Sequence, residues 1–291
     1  LTLTLSFYLM IPLRLYSENR KRYELEKENK TLIEVEEMKT NFLQLVTHDL
    51  KTPVAKIQGL TEHLKRSLAD KLLPKDLELM NHIFSANEDL NQFITSLLEL
   101  TKLDNQGICV KLQSKDLNQL LETIVIKHRF AAQAKQILVK TEFEPLFPIR
   151  MDSELISKVL SNLIDNAIKY SPENTVVCLI TREVDEYIEV IIQDEGIGIP
   201  QADMQNLFSR FYRVKNDTTI KVKGTGLGLY LSRYFIEAHQ GTITVDSIPD
   251  KGTRFTIRLR MNLQDTDLVQ PGLRILPFNK VSETKGNTNY A

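Results

Sequence analysis

Residues 162–170 read Asn-Leu-Ile-Asp-Asn-Ala-Ile-Lys-Tyr and close a longer stretch, Asp152–Tyr170, whose periodicity decides how the second half of the chain is built. At about 100° per residue, Asn162, Asn166 and Lys169 fall in a stripe roughly 60° wide, while Leu160, Leu163, Ile164 and Ala167 occupy a separate arc. The stretch is therefore expected to be a helix with one face in a core and another presenting two amides and an ammonium. Such a set suits a metal-bound polyphosphate. The amide oxygen is a hard ligand for Mg2+ that adds no negative charge, and the ammonium offsets that of the phosphates. The bland alternative is a solvent face, although Asn is a poor helix former for that purpose.

On either side of this helix the pattern is one of short strands and amphipathic helices. Ile108–Leu112 and Ile137–Phe143 read as strands, with Asp116–Ala134 a helix capped by Asp116. Val176–Glu183 and Tyr187–Asp194 are successive strands, Leu227–His239 is a helix stopped by Gly241, and Thr242–Ser247 and Thr253–Met261 are strands joined through Gly252. Hairpin succession with helices between implies a mixed sheet covered on one face, a two-layer α/β sandwich.

Three further segments of this half carry chemistry. Asp194-Glu195-Gly196-Ile197-Gly198-Ile199-Pro200 follows the apolar strand Val190–Ile192, a place where a ligand can approach backbone closely; a buried carboxylate there would accept from the amino group of adenine. Alone, it is also a common turn. Gly224-Thr225-Gly226-Leu227-Gly228-Leu229 opens a helix and exposes backbone N–H groups to an anion. It is neither a dinucleotide fingerprint, because Leu229 stands where the third glycine would be, nor a Walker loop. Phe208–Arg213, before the polar stretch Lys215–Lys223, fits either the anchor of a mobile lid or a plain surface helix and loop.

The first half is helical. Leu25, Leu32, Val35, Met38, Phe42 and Leu45 approximate an a/d seam, so this helix either pairs with a copy of itself or stands solvated. A second helix is expected over Lys75–Asp104, and a connector near Asp70–Pro74 makes the two an antiparallel hairpin. Each apolar stripe is narrow, so a dimeric four-helix bundle is the natural way to bury both. The first helix carries Thr47-His48-Asp49-Leu50-Lys51-Thr52-Pro53. His48 and Thr52, four apart, share a face; Asp49 can hold one ring nitrogen as N–H and leave the other free to attack phosphorus. Pro53 is expected to bend the helix beyond the histidine.

The chain has 291 residues with 37 Lys and Arg against 38 Asp and Glu, so its formal charge of −1 gives no support to nucleic-acid binding through bulk charge. Cys109 and Cys178 are isolated, which argues against a disulfide framework or zinc site. The apolar stretch over residues 1–13 is too short to cross a bilayer by itself; followed by Arg20, Lys21 and Arg22, it is expected to be the end of a transmembrane helix, with a signal-peptide remnant or an interfacial segment as alternatives. Residues 263–291 are expected to be a disordered tail.

Taken in order, these segments resemble the sensor histidine kinases of bacterial two-component systems: Thr47–Pro53 their phosphoacceptor box, Asn162–Tyr170 their N box, Asp194–Pro200 and Gly224–Leu229 their glycine boxes, and Phe208–Arg213 their aromatic box. The resemblance covers about residues 30–261. It implies a signalling helix over 16–37 beyond the membrane segment 1–15, a phosphoacceptor and dimerisation hairpin over 38–104, a hinge at 105–108, and a gyrase-like ATP-binding domain over 109–262. His48 would be phosphorylated, Asp49 would orient or deprotonate it, and Thr52 would position water for the reverse reaction. Asn166 would ligate Mg2+ with Asn162 supporting; Lys169, Tyr170 and Arg213 would contact the phosphates of ATP, and Asp194 the adenine. Gly196, Gly198, Gly224, Gly226 and Gly228, with Thr225 and Leu227 between the last of them, would shape pocket and lid. Asp49 stands where many relatives have Glu, and Glu195 where Asn is frequent. The implied activity is autophosphorylation of a homodimer and transfer to a response-regulator aspartate, with phosphatase activity, at the cytoplasmic face of the bacterial inner membrane. The alternative is a nucleotide-operated dimeric scaffold without phosphotransfer.

Overall fold

The computed structural model describes the backbone of residues 2–67, 74–214 and 224–264; some helix side chains, that of His48 among them, lie outside the described set, as do the connector at 68–73, the segment 215–223 and the expected tail beyond 264. Helix α1 (Thr2–Ser67) runs for 66 residues and helix α2 (Pro74–Gln106) for 33. They lie antiparallel: Lys65 Nζ donates to Asn81 Oδ1 at 3.0 Å and Asn87 Nδ2 to the Val54 carbonyl at 3.2 Å, so positions advancing on one helix retreat on the other. Thr47, Val54 and Thr61, at heptad spacing, are buried against α2 residues that include Asn87 and Ile94. Leu25, Val35, Met38 and Leu45 of the expected seam stay more than half exposed on the single chain. Pro53 stands inside α1 without ending it.

The second half is a two-layer sandwich, as its patterning predicts. Helix α3 (Leu117–Ala134) starts at Asp116, whose carboxylate accepts from Gln119 N at 3.0 Å, and helix α4 (Ser153–Tyr170) starts at Asp152, which accepts from Glu154 N and Leu155 N. Strands β2 (Leu138–Phe143), β4 (Val176–Val184), β5 (Tyr187–Asp194), β6 (Thr242–Ile248) and β7 (Gly252–Arg260) form one sheet in the order β2-β4-β5-β7-β6. The β2–β4 pair is parallel and the rest antiparallel, so the sheet is mixed. Helices α3, α4 and α6 (Gly228–Ala238) cover one face, with Leu121, Leu163, Ile164, Leu179, Ile188 and Ile236 fully buried between the layers. The short helix α5 (Gln201–Met204) was not legible in the sequence.

One strand falls elsewhere than expected. Ile108–Leu112 is not a strand; the strand β1 is Gln113–Lys115, paired with β3 (Ile149–Met151), which the sequence reading lacks. Ile108 and Val110 pack against the core, but Lys111 N donates to the Asp152 carboxylate at 2.9 Å instead of to a neighbouring strand. His239, just past the end of α6, ties that helix to the start of α4: buried, with Nδ1 2.7 Å from the Phe235 carbonyl, it accepts from Asp152 N through Nε2, which requires the neutral ring, and burial lowers its pKa accordingly. At the expected hinge α2 ends at Gln106 and Gly107 takes φ +65°, yet Leu100 and Leu103 belong to the buried cluster of the sandwich.

Candidate nucleotide site

The helix stripe, both glycine segments and the aromatic segment converge on one cavity of about 1440 Å3. Asn162, Asn166, Lys169 and Tyr170 of α4, Asp194 at the end of β5 and Gly198 beyond it, Arg213, and Gly224, Thr225, Gly226 and Gly228 before and at the start of α6 all line it, and the facing wall is α2 from Glu88 to Glu99. The geometry follows from chain connections: β5 delivers Asp194 at its C-terminal end, antiparallel β7 brings Thr253 beside it, and α4 and α6 pack side by side over the sheet.

Asp194 is the most constrained group. It is buried, and Oδ1 accepts from Gly196 N at 2.8 Å and Thr253 N at 3.1 Å, which leaves Oδ2 for an external donor. Burial pushes its pKa up to about 6 despite those two amides. Gly252, at φ +103°, holds this corner: a Cβ there would sit 1.9 Å from the Asp194 carbonyl oxygen. Glu195 turns outward and accepts from Val176 N at 2.9 Å, tying the glycine turn to β4.

On α4 the stripe divides its labour. Asn162 Nδ2 donates to the buried Ser232 Oγ at 2.9 Å, and its Oδ1 lies where a Cβ on Gly228 would come within 2.3 Å, so this amide is pinned between α4 and α6. Asn166 has no side-chain hydrogen-bond partner among the described residues, which suits an oxygen that would meet a cation. Lys169 Nζ lies 2.6 Å from Asp165 Oδ2, a lining residue the sequence reading passed over although its i,i+4 spacing was visible. His128 also borders the cavity, 2.8 Å from Ser161 Oγ. Among the described residues no group of three His, Cys, Asp or Glu side chains could hold a metal ion, so an Mg2+ here would depend on phosphate oxygens, water and Asn166.

The loop side is closed by backbone contacts. Gly226, at φ +71°, presses on the backbone of Phe211, where a Cβ would approach to 2.7 Å. Arg213 donates to the Gly224 carbonyl at 3.1 Å, and the Tyr212 hydroxyl donates to the Asp203 carboxylate. Two of the residues expected at the nucleotide do not line the cavity. Leu227 is fully buried as part of the hydrophobic core that also holds Leu163; Gly196 is enclosed by the Tyr170 carbonyl and Asp194 and serves as turn backbone. Asp49 and Thr52 are exposed on α1 and do not line the cavity either, while the His48 side chain lies outside the described residues. Thr253, whose N–H holds Asp194, gave no sequence signal because its partner is 59 residues away.

Residues 151–263 match the family model of histidine kinase-, DNA gyrase B- and HSP90-like ATPases, and residues 38–106 match that of the His kinase A phospho-acceptor domain. Sensor protein SrrB of Staphylococcus aureus, in strains NCTC 8325 and COL, is 31% identical over 228 residues, covering 77% of this chain and 38% of the relative. The chain thus spans less than half the length of these curated relatives. Among solved structures, full-length ShkA in complex with AMPPNP is 21% identical with a TM-score of 0.64, over 77% of this chain and 46% of that one. The Acinetobacter baumannii histidine kinase AdeS is 24% identical with a TM-score of 0.52, over 74% and 98%. At these identities the structural likeness speaks to the fold.

Proposed function

We propose that this chain, which belongs to the sensor histidine kinases, binds ATP in the cavity between α4 and α6, transfers its γ-phosphoryl group to His48, and passes that group to an aspartate of a response regulator. The observation that carries the reading is the meeting of Asn166, Lys169, Asp194 and Arg213 on one cavity, in a chain whose phospho-acceptor segment contains His48.

Asp194 Oδ2 accepts from the adenine amino group, a preference that guanine, with an acceptor at that position, would not satisfy. Lys169, Arg213 and the amides of the Gly224–Gly228 turn hold the phosphates. A magnesium ion, when bound, would neutralise phosphate charge, and Asn166 is the residue to hold it. In the transfer a ring nitrogen of His48 forms a bond to the γ-phosphorus while the bond to the β–γ bridging oxygen breaks and ADP departs. Asp49 accepts the hydrogen bond of the other ring nitrogen and compensates the charge that develops there. Because the transition state is loose, positioning and charge neutralisation supply the acceleration. Thr52, exposed one turn beyond His48, would orient a water for hydrolysis of the regulator's acyl phosphate.

The exposed Leu25, Val35, Met38 and Leu45 support a homodimer that covers them with a second copy. Membrane attachment at residues 1–15, on the cytoplasmic side, rests on the charge pattern; among the described residues no helix is long and apolar enough to cross a membrane. The test is incubation with ATP radiolabelled at the γ position. The expected label is acid-labile and alkali-stable, as a phosphoramidate is, and is abolished in His48→Gln. A chain that binds ATP but takes no label would be the dimeric scaffold instead, and label persisting in His48→Gln would refute the assignment of the acceptor.

A further inference from the structure

Helix α4 ends with a deficit of donors. An α-helix leaves its last four carbonyls without intrahelical partners, and here the residue that would serve Ile168 is Pro172, which has no N–H. Ser171 N still reaches the Ala167 carbonyl at 3.2 Å, but the carbonyls of Ile168, Lys169, Tyr170 and Ser171 must find partners elsewhere. One side chain outside the cavity supplies three of them. Lys135 Nζ donates to Ile168 O at 2.9 Å, Lys169 O at 2.8 Å and Ser171 O at 3.0 Å, so all three ammonium hydrogens are used. The fourth carbonyl, Tyr170 O, accepts from Ile197 N at 3.2 Å, inside the turn that follows Asp194.

Lys135 is itself held. Its backbone N–H closes α3 on the carbonyls of Ala132 and Gln133, and its carbonyl accepts from Asn174 N at 3.1 Å, in the loop between α4 and β4. The ammonium is thus a bracket joining the end of α3 to the end of α4, with its positive charge at the negative pole of the α4 dipole. Helix ends elsewhere meet this need with capping turns, side chains or water. A lysine does so here at the cost of its rotamer freedom and partial desolvation, the second of which lowers its pKa. What it fixes is the short piece of backbone carrying Lys169 and Tyr170 on one side and, through Tyr170 O, the Asp194–Gly198 turn on the other.

We propose that Lys135 is a positioning residue of the nucleotide site: by bracketing the C-terminus of α4 it sets the phosphate-facing Lys169 and the adenine-facing Asp194 turn in register with each other. This rests on the proposed function, since it presumes that Lys169 and Asp194 grip one nucleotide. Lys135→Met keeps the aliphatic stem and removes the donors. It is expected to weaken ADP binding about tenfold while kcat for autophosphorylation at saturating ATP changes less than about threefold, because the residue touches neither phosphorus nor imidazole. Amide exchange supplies a readout specific to the bracket. In Lys135→Met the Ile197 N–H, bonded to Tyr170 O, exchanges faster, whereas the Thr253 N–H, bonded to Asp194, keeps its protection. Lys135→Arg, which retains charge and donors, restores most of the affinity.

Calorimetric titration of ADP into the full chain and both variants decides the matter. ADP affinity in Lys135→Met equal to the parent's, or lost together with Thr253 protection and cooperative unfolding, would overturn the positioning role. Failure of the unsubstituted chain to bind ADP would instead overturn the nucleotide reading itself.

Discussion

Asp194 shows how one residue trades stability for recognition. Its folded pKa of about 6 against an ordinary 3.8 means the fold prefers the protonated form, so its contribution to stability is complete below pH 3.8 and is lost as pH rises through about 6. By that shift, keeping the buried charge at neutral pH costs on the order of 3 kcal/mol. Asp194→Asn, which keeps an oxygen for the amides of Gly196 and Thr253, is therefore expected to raise the midpoint of urea unfolding at pH 7.5 while abolishing measurable ADP affinity. The gain should shrink as the comparison moves to about pH 4, where both side chains are neutral. In the parent protein ADP affinity should be level above about pH 7 and decline below 6, since the adenine amine favours the ionised carboxyl; a flat profile from 5 to 8 would remove Asp194 from the adenine site. The spacing of Asp194 before two glycines pointed to it directly. Thr253, Gly252 and Lys135 were not legible in the same way, because what each does is defined by a partner 33 or more residues distant that only the closed sheet and paired helices bring near.

At the level of elements, long amphipathic segments were readable and short ones were not. Helix α4 followed from the 3.6-residue period of its apolar arc, and β4, β5 and β7 from apolar runs between turn residues. Three-residue β1 and β3 carry too few side chains for any period, and their pairing exists because Asp152 draws the preceding loop inward through Lys111 N. The α4–α6 contact turns on a missing side chain. A Cβ on Gly228 would stand 2.3 Å from Asn162 Oδ1, so Gly228→Ala should force Asn162 off Ser232 and destabilise the fold by about 1–3 kcal/mol, an overpacking cost. Adding Asn162→Ala removes the obstacle, and chemical denaturation of the double variant should show less loss than the sum of the two single ones. Strict additivity would mean that the two residues do not meet as described.

For the whole molecule, the question is how a nucleotide held by the sandwich reaches a histidine on the hairpin. Leu100 and Leu103 of α2 are buried with the sandwich, and Lys158 Nζ of α4 lies 2.5 Å from Glu99 Oε1 while also sitting 5.9 Å from the Phe235 ring centroid. The last turns of α2 therefore pack on the catalytic half, while the phospho-acceptor match extends through residue 106. Half-exposed Lys158 limits the pair to roughly 0–1 kcal/mol. If the pair holds the sandwich away from His48, Glu99→Gln should raise the autophosphorylation rate at saturating ATP by up to about fivefold, leave ADP affinity unchanged, and be mimicked in the parent by added salt. A slower rate would assign the contact to the productive arrangement instead. The longest element sets one more constraint. A continuous helix of 66 residues at 1.5 Å per residue measures about 100 Å along its axis, so a stimulus applied at one tip arrives at the other as torque or axial thrust. Such a shaft is phase-sensitive: one added residue rotates everything above it by about 100°, whereas seven bring it back to within about 20°.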